Sequence, residues 1–248
     1  MNDIENLIGI LIPSTFVVAL VIERLLRAKE LPKVRFWLLK GLVFFALTGG
    51  VNAVVPLIVA HIVGDRAPLH LARVGLVPGA LIAFLVTDVV AYFVHRTMHR
   101  VPALWRWSHQ MHHSAERMDL AGMSYNHPVD MMLSFGLPGL AAGLLGLHPA
   151  SLALSGFIGF VYAVVQHSNV RTPRWLGYLM QRPEMHGLHH ERGVHAYNYG
   201  NLPLWDMLFG TYRNPATFPG AYGFWNGASN RVGAMLIGRD VGEPPGPA

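Results

Sequence analysis

The chain has 248 residues, of which 52% are hydrophobic and only 13% are charged, whereas ordinary soluble domains carry roughly 25% charged residues. This deficit of charge predicts a membrane protein. Cysteine is absent, which excludes disulfides, thiolate metal sites, iron–sulfur clusters and a cysteine nucleophile. The net charge of +5 is too small and too dispersed to favour nucleic acid as a partner.

Four apolar stretches predict the membrane helices. The first three are residues 7–22, 41–60 and 74–94, and the second holds no charge over about the 20 residues that span a bilayer. The fourth, 131–165, is too long for one span and is interrupted by Leu147-His148-Pro149, so we expect a helical hairpin there. The predicted fold is an all-α membrane protein with about four transmembrane helices and a hairpin portion, capped by a cytosolic histidine-rich helical domain.

Basic residues crowd the loop between the first two stretches: Arg24, Arg27, Lys29, Lys33, Arg35 and Lys40. The positive-inside rule makes this loop cytoplasmic and puts the N-terminus outside. The first stretch shows no signal-peptide cleavage pattern, so we expect it to be retained. Sixteen of the nineteen basic residues are arginine, which with abundant Ala, Gly and Pro favours a GC-rich bacterial genome and the bacterial inner membrane. Counted span by span, every histidine cluster then faces the cytoplasm.

Eight histidines form three clusters with the spacings H-x-x-x-H, H-x-x-H-H and H-x-x-H-H: His95, His99, His109, His112, His113, His186, His189 and His190. Residues three and four apart lie on one helix face, so each cluster can aim its imidazoles at one point. Eight imidazoles exceed the four to six ligands of a single ion, which predicts two adjacent metal ions. We expect two irons with O2 as co-substrate. The same nitrogen ligands accept zinc, so purified protein can carry it instead.

Asp88 and Tyr92 follow the helical spacing of His95 and His99, so the four share one helix face. A carboxylate inside a membrane helix is costly and marks a functional site. We expect Asp88 to accept the second ring N–H of a ligating histidine, or to bind metal directly. The alternative is a carboxylate satisfied by a hydroxyl or amide of a neighbouring helix. The tryptophans of the following segment, Trp105 and Trp107, are expected to anchor the chain among lipid headgroups.

The histidine boxes resemble those of the fatty acid hydroxylase/sterol desaturase superfamily of membrane di-iron enzymes. Three further elements are similar to that superfamily: Asn126-His127-Pro128, Gln166-His167-Ser168-Asn169, and the closing signature from Asn198-Tyr199-Gly200-Asn201 through Leu204-Trp205-Asp206 to Phe209-Gly210-Thr211. The resemblance covers about residues 88–212 in consistent order. It implies a four-helix membrane core and hydroxylation or desaturation of an unactivated lipid C–H bond with O2 and two electrons.

The resemblance also implies a ligand set, namely the eight box histidines with His167 as a ninth. Some relatives place one more histidine where this chain has Ala163, so either the ligand set is smaller here or His127 or His195 completes it. Asp206 either supports the last histidine box or caps the following helix. The remaining histidines are expected to be bystanders on the opposite side of the membrane: His61, His70 and His148.

The chain shows no dinucleotide-binding motif and no haem-attachment motif, so we expect a separate electron donor, a ferredoxin or a cytochrome b5-like protein with its reductase. Five arginines are expected to face either an acidic donor or phospholipid headgroups: Arg171, Arg174, Arg182, Arg192 and Arg213. The substrate is a fatty-acyl lipid, a sterol or hopanoid, a carotenoid or an ether lipid. We expect residues 137–146 to line its tunnel, so that Gly143→Leu shortens the accepted chain.

The competing hypothesis is a non-catalytic membrane metal-binding or metal-transport protein. Transport needs polar residues along several spans, and the first stretch and the hairpin hold no acid. We divide the chain into transmembrane helices at 1–94, a histidine-box catalytic region at 95–215 that includes the hairpin, and a C-terminal tail at 216–248. The tail is expected to be partly disordered, at residues 243–248.

Overall fold

Five long helices form the body of the protein. The structure is a computed structural model, and it describes residues 3–244 of the chain. The long helices are α1 (Asp3–Leu25), α2 (Trp37–Val63), α3 (Leu76–Arg100), α6 (Pro128–Gly143) and α7 (Pro149–His167). Four of them, α1, α2, α3 and α7, are long and apolar enough to cross a membrane. The prediction of an all-helical protein with about four membrane helices is therefore confirmed.

Short helices make up a cap at one end of this body. They are α4 (Pro102–Leu104), α5 (Gln110–His113), α8 (Pro183–His189), α9 (Pro203–Leu208) and α10 (Val232–Leu236). A π-helical turn, Trp105–His109, joins α4 to α5 and contacts both α3 and α6. The π-helical turn packs on α3 and α8 packs on α7, and the second and third histidine boxes both meet the first box where α3 ends.

The hairpin expected over residues 131–165 is present as α6 and α7. Pro149 occupies the first position of α7, where its missing N–H would have no helical partner. His148 precedes it, and its Nδ1 accepts the backbone N–H of Ala150 over 3.2 Å. His148 is therefore a helix cap, and the metal clusters do not include it.

α3 lies at the centre of the helical body. It contacts both α6 and α7, while α2 packs on α6 and α1 packs on α7. A Cβ on Gly79 of α3 would lie 2.8 Å from the hydroxyl of Ser151, so the glycine permits close approach of α7. The outer faces of the long helices expose large apolar side chains such as Leu57, as expected of a surface covered by lipid.

The C-terminal segment packs onto the cap as part of the same unit. Tyr222, Ala228, Met235 and Val241 are buried. Of the residues expected to be disordered, 245–248 lie outside the described residues. The division of the chain at residue 94 falls inside α3, so this helix carries both a membrane span and the first histidine box.

Candidate metal centre

Nine histidines converge in two adjacent groups where α3 and α7 meet the cap. The five-histidine group contains His95, His99, His109, His113 and His189. The four-histidine group contains His112, His167, His186 and His190. Within each group, one ring nitrogen per residue lies within 4.8 Å of the others. The nine are the residues named from the sequence, and the second and third boxes each contribute to both groups.

Backbone carbonyls of one segment orient most of the five-histidine group. A carbonyl can only accept, so each Nδ1 that meets one carries the hydrogen and leaves Nε2 with its lone pair. Three such bonds of 2.7–2.9 Å run from His95 to Tyr199, from His99 to His195 and from His189 to Tyr197. Segment 195–199 therefore sets the tautomer and the ring orientation of these imidazoles.

The inward-facing nitrogens of the five-histidine group fit a bound cation. All five Nε2 atoms are buried, and none has a hydrogen-bond partner among residues 3–244. A buried polar atom without a partner costs roughly 1–3 kcal/mol, and five at one point would be strongly destabilising. A metal ion coordinated by these lone pairs removes that cost. The donor set is all nitrogen, which suits iron and zinc alike.

The four-histidine group also fits a bound cation, and the evidence here is the close approach of its ring nitrogens. Nδ1 of His167 donates to the carbonyl of Ala163 over 2.8 Å, and Nδ1 of His186 donates to Oε1 of Gln181 over 2.6 Å. The two Nε2 atoms are then both lone-pair acceptors, yet they lie 3.1 Å apart. His112 brings its own Nε2 within 3.3 Å of that of His167. These lone pairs repel one another, and a cation bound between them would be coordinated by them and remove the repulsion.

Electrostatics keep the histidines of the cap in the metal-binding form. Burial lowers the pKa of His112, His186 and His190 well below the ordinary value, and the neighbouring imidazoles lower it further. Neutral imidazole is the form that coordinates a metal. These rings are therefore ready to bind a cation at neutral pH without releasing protons.

Asp130 is a site residue that the sequence analysis missed. In the first turn of α6, its Oδ2 accepts Nδ1–H of His109 over 2.6 Å, and its Oδ1 accepts the hydroxyl of Ser134 over 2.8 Å. It thus has the role that the sequence analysis expected of Asp88. The sequence feature that could have indicated this role is an acid that follows Asn126-His127-Pro128 at the start of an apolar stretch.

Asp88 serves a different purpose from the one expected. Its carboxylate accepts the backbone N–H and side-chain amide of Asn201, the N–H of Leu202 and the indole N–H of Trp205, over 2.8–3.1 Å. In the described part of the chain it meets no imidazole, and neither metal group includes it. The expectation of an imidazole partner or of direct ligation is therefore wrong. Asp88 instead ties α3 to the segment that leads into α9.

Asp206 supports the segment that orients the histidines. Its carboxylate accepts the backbone N–H groups of Tyr199 and Gly200 over 2.8 and 2.9 Å. These contacts favour the expected support of the last box over the helix-cap alternative, because Asp206 lies inside α9 and bonds back to the preceding segment. Burial raises its pKa, and the hydroxyl of Thr211 lowers it in part.

Tyr92 joins the same network from α3. Its hydroxyl lies 3.0 Å from that of Thr211, which donates to Asp206 over 2.6 Å. Arg96, one turn further along α3, donates to the Tyr92 hydroxyl over 3.0 Å. A chain of hydrogen bonds through Thr211, Asp206 and the backbone of Tyr199 therefore connects Tyr92 to His95.

The two histidines left open as extra ligands lie outside both groups. Nδ1 of His127 accepts the N–H of Val129 over 3.1 Å and so caps α6. His195 places its Nδ1 3.0 Å from that of His113, beside the five-histidine group. Burial lowers the pKa of His195 to about 4. His195 is therefore a neutral outer partner of His113.

Two further expectations need correction. Trp105 packs its indole against the rings of His99 and His113, with centroids 5.1 and 5.2 Å away, so it covers the site instead of anchoring the chain among headgroups. Trp107 is 47% exposed, as an anchor requires. Arg182 is only 1% exposed and pairs with buried Glu184 over 3.0 Å, so it offers no charge to a partner.

The helical body is apolar enough to cross a membrane, and the two histidine groups have the donor atoms to hold metal ions. Comparison with known proteins shows the family to which the chain belongs. The model of the family described as fatty acid hydroxylase matches residues 80–211, just over half of the chain. The chain therefore belongs to the fatty acid hydroxylase family, as its histidine boxes indicated.

Several curated relatives are similar over the same region. The chain is 32% identical over 141 residues to a very-long-chain aldehyde decarbonylase of rice, Oryza sativa, which covers 53% of each protein. It is 32% identical over 143 residues to an ornithine lipid hydroxylase of Rhizobium tropici, covering 54% of this chain and 42% of the relative. Identity to sphinganine C4-monooxygenase 1 of Arabidopsis thaliana is 27% over 171 residues, covering 65% and 66%.

The chain spans about half the length of the curated relatives it matches. No solved structure matches it.

Proposed function

We propose that this protein is an integral membrane di-iron oxygenase that hydroxylates a C–H bond of a lipid. The observation that carries the proposal is the pair of adjacent groups holding nine buried histidines, five of whose Nε2 atoms have no partner in residues 3–244. Membership of the fatty acid hydroxylase family supports it. Two of the relatives, an ornithine lipid hydroxylase and a sphinganine C4-monooxygenase, favour hydroxylation over desaturation.

Two bound irons would supply the reductive activation of O2 that oxidation of an unactivated C–H bond requires. The nine histidines would hold them, and the site would also accept zinc. The chain's own contribution is orientation, because Asp130, Gln181 and the carbonyls of segment 195–199 hold the Nδ1 hydrogens of five of the nine histidines away from the metal. Burial of the rings excludes bulk water.

The depth of the site favours a substrate carbon near the polar end of a lipid. A bilayer core needs roughly 20 helical residues, so α3, counted from Leu76, leaves it close to His95. α7 begins at Pro149 and ends at His167, which places the second group at the same level. We therefore propose as substrate a lipid with a polar headgroup, either a fatty-acyl lipid or an ether lipid, ahead of a carotenoid or a sterol.

The contacts of the first loop support a cytoplasmic cap. Nζ of Lys29 donates to the carbonyl of Pro219 over 2.6 Å, and Ala28 donates its N–H to the carbonyl of Asn169 over 2.8 Å. The basic loop and the cap thus share one end of the helical body. Together with the positive-inside rule, this leads us to propose a cytoplasmic cap on a bacterial inner membrane.

A separate electron donor would then reach the cap from the cytoplasm. We propose a ferredoxin or a cytochrome b5-like protein with its reductase. The exposed guanidinium of Arg192 is one basic group available to an acidic donor, while buried Arg182 is not.

The test is metal content and turnover of the Fe(II)-loaded protein in detergent, beside a double variant His112→Ala, His189→Ala that removes one ligand from each group. We expect two irons per chain and O2-dependent gain of one oxygen by an extracted lipid, with both lost in the double variant. The exposed His61, replaced as His61→Ala, is the matched control and should keep both. One tightly held zinc with no uptake of iron would favour the metal-handling alternative instead.

A further inference from the structure

The cap carries an exposed apolar surface that nothing in residues 3–244 covers. Its members lie on α9 and the 3-10 turn 174–178 or directly follow them, and we call them the apolar patch: Trp175, Tyr178, Leu179, Leu204, Leu208 and Phe209. Trp175 is 62% exposed and Leu208 is 64% exposed. Large apolar patches on a protein surface mark sites of interaction with protein or membrane.

The patch is one continuous surface because its two parts are joined by contacts. α9 packs against the turn 174–178. Tyr212, which follows α9, donates its hydroxyl to the carbonyl of Gly177 over 3.1 Å, and its ring lies 6.2 Å from that of Tyr178. The residues on the two elements therefore share one face of the cap.

The patch also continues into the membrane-facing surface of α3. The ring of Phe209 lies 5.0 Å from that of Phe93, which is itself 45% exposed. Counted from Leu76, Phe93 falls within the roughly 20 residues of α3 that a bilayer core covers. Phe209 is thus at the depth where the hydrocarbon region ends.

α9 has two faces of opposite character. One face points into the protein, where Trp205 donates its indole N–H to Asp88 over 2.8 Å and Asp206 is fully buried. The other face exposes Leu204 and Leu208. A short helix with one apolar face, placed at the edge of a bilayer, lies in the interfacial plane with that face in the acyl region.

Two arginines lie at the edge of the patch. Arg174 and Arg213 are exposed, and neither forms an ion pair with a carboxylate in the described part of the chain. Asn214 donates to the carbonyl of Arg174 over 3.0 Å, which holds the two arginines in neighbouring segments. Guanidinium groups in this position can contact the lipid phosphates while the neighbouring aromatic and leucine side chains lie among the acyl chains.

We infer that the apolar patch inserts into the leaflet beside α3, with Arg174 and Arg213 at the lipid phosphates. The occupant of this surface is bilayer lipid. Insertion would fix α9, whose inner face holds the segment that orients His95 and His189. The inference rests on the membrane position of α3 and does not depend on the proposed catalytic activity.

The absence of cysteine allows a direct test, because a single introduced cysteine can be labelled uniquely. We would label Leu208→Cys and Trp175→Cys with a bimane fluorophore and place each protein in nanodiscs of phosphatidylcholine and phosphatidylglycerol. Quenching is measured with nitroxide lipids labelled near the top of the acyl chain and, separately, with aqueous iodide. Leu57→Cys on α2 is the lipid-facing control, and Glu30→Cys, with its side chain 89% exposed, is the aqueous control.

We expect nitroxide lipid to quench both patch labels, and iodide to quench them several-fold less than it quenches the Glu30→Cys label. Iodide quenching equal to that control would place the patch in water and overturn the inference. Protection from both quenchers would also overturn it, because a protein surface such as a second copy of the chain would then cover the patch. Should Trp175→Cys fail to fold, Tyr178→Cys reports on the same turn.

Discussion

Asp130 and His109 form a buried carboxylate–imidazole pair, with Oδ2 and Nδ1 2.6 Å apart. Within residues 3–244, the other Nδ1 atoms of the five-histidine group meet uncharged partners. The four-histidine group has the neutral partners Ala163 and Gln181. The two groups therefore differ in charge as well as in ligand number, and the anion lies beside the five-histidine group.

Replacing Asp130 by asparagine tests the value of that charge. The amide oxygen can still accept Nδ1–H of His109, but the imidazole becomes a weaker donor to metal, so we expect about 10- to 100-fold weaker binding of one of two metal equivalents. Competition with a chelator measures the affinity of each equivalent. Ser134→Ala, which keeps the carboxylate and removes only its hydroxyl partner, should change metal affinity far less. Equal affinities in all three proteins would contradict the prediction.

The metal-free protein should lose stability as the medium becomes acidic. Burial lowers the pKa of His113, His189 and His190 well below the ordinary value of about 6.5. In the unfolded chain these groups take up protons below about pH 6.5, whereas in the folded metal-free protein they do not. The unfolded state then binds more protons, so the free energy of unfolding falls as the pH drops from about 7.5 to about 5.5.

Thermal unfolding of chelator-treated protein across that pH range measures this effect. His190→Gln removes one of the depressed groups and should make the dependence on pH shallower. An unfolding temperature that rises toward acid pH would refute the assignment of these rings as buried and neutral.

Asp88→Asn should destabilise the junction between α3 and α9. The carboxylate accepts four N–H groups, whereas an amide presents its own N–H₂ to at least one of them. We expect the free energy of unfolding to fall by about 2 kcal/mol. Asp240→Asn alters an exposed carboxylate and is the control. An unchanged unfolding temperature for Asp88→Asn would show that these contacts contribute little.

Gly143 lies where α6 packs closely against α2, so its replacement affects helix packing. A Cβ there would lie 2.5 Å from Cγ1 of Val59, so Gly143→Leu forces α2 and α6 apart and should destabilise the protein. Any shortening of the accepted lipid chain by Gly143→Leu would therefore be accompanied by a loss of stability. A groove of about 220 Å³ lies nearby between α2 and α6, and Gly136 lines it at a position where an added Cβ would have no atom within 4 Å.

If an acyl chain occupies that groove, Gly136→Leu should shorten the chain length accepted while the unfolding temperature stays near that of the unaltered protein. Product chain lengths from a mixed lipid pool, read by mass spectrometry, decide the matter. An unchanged profile for Gly136→Leu would place the acyl chain elsewhere.

Much of the centre could be predicted from local pattern. Spacings of three and four residues place box histidines on shared helix faces, and runs of apolar residues mark the spans and the break at His148. These features depend on neighbours along the chain, where helix geometry alone sets which side chains are adjacent. That is why the eight box histidines and the positions of the long helices agree with the sequence analysis, whereas His167 was implied only by the family resemblance.

Contacts between segments that are far apart along the chain could not be predicted from these local patterns. The division of the histidines into five and four mixes three boxes, and the partners of Asp88 are more than 110 positions away along the chain. Asp130 meets an imidazole where Asp88 meets backbone amides, although a lone acid in an apolar stretch looks the same in both cases. Which donors surround a buried carboxylate depends on how the helices pack, and spacing along one helix carries no information about its neighbours.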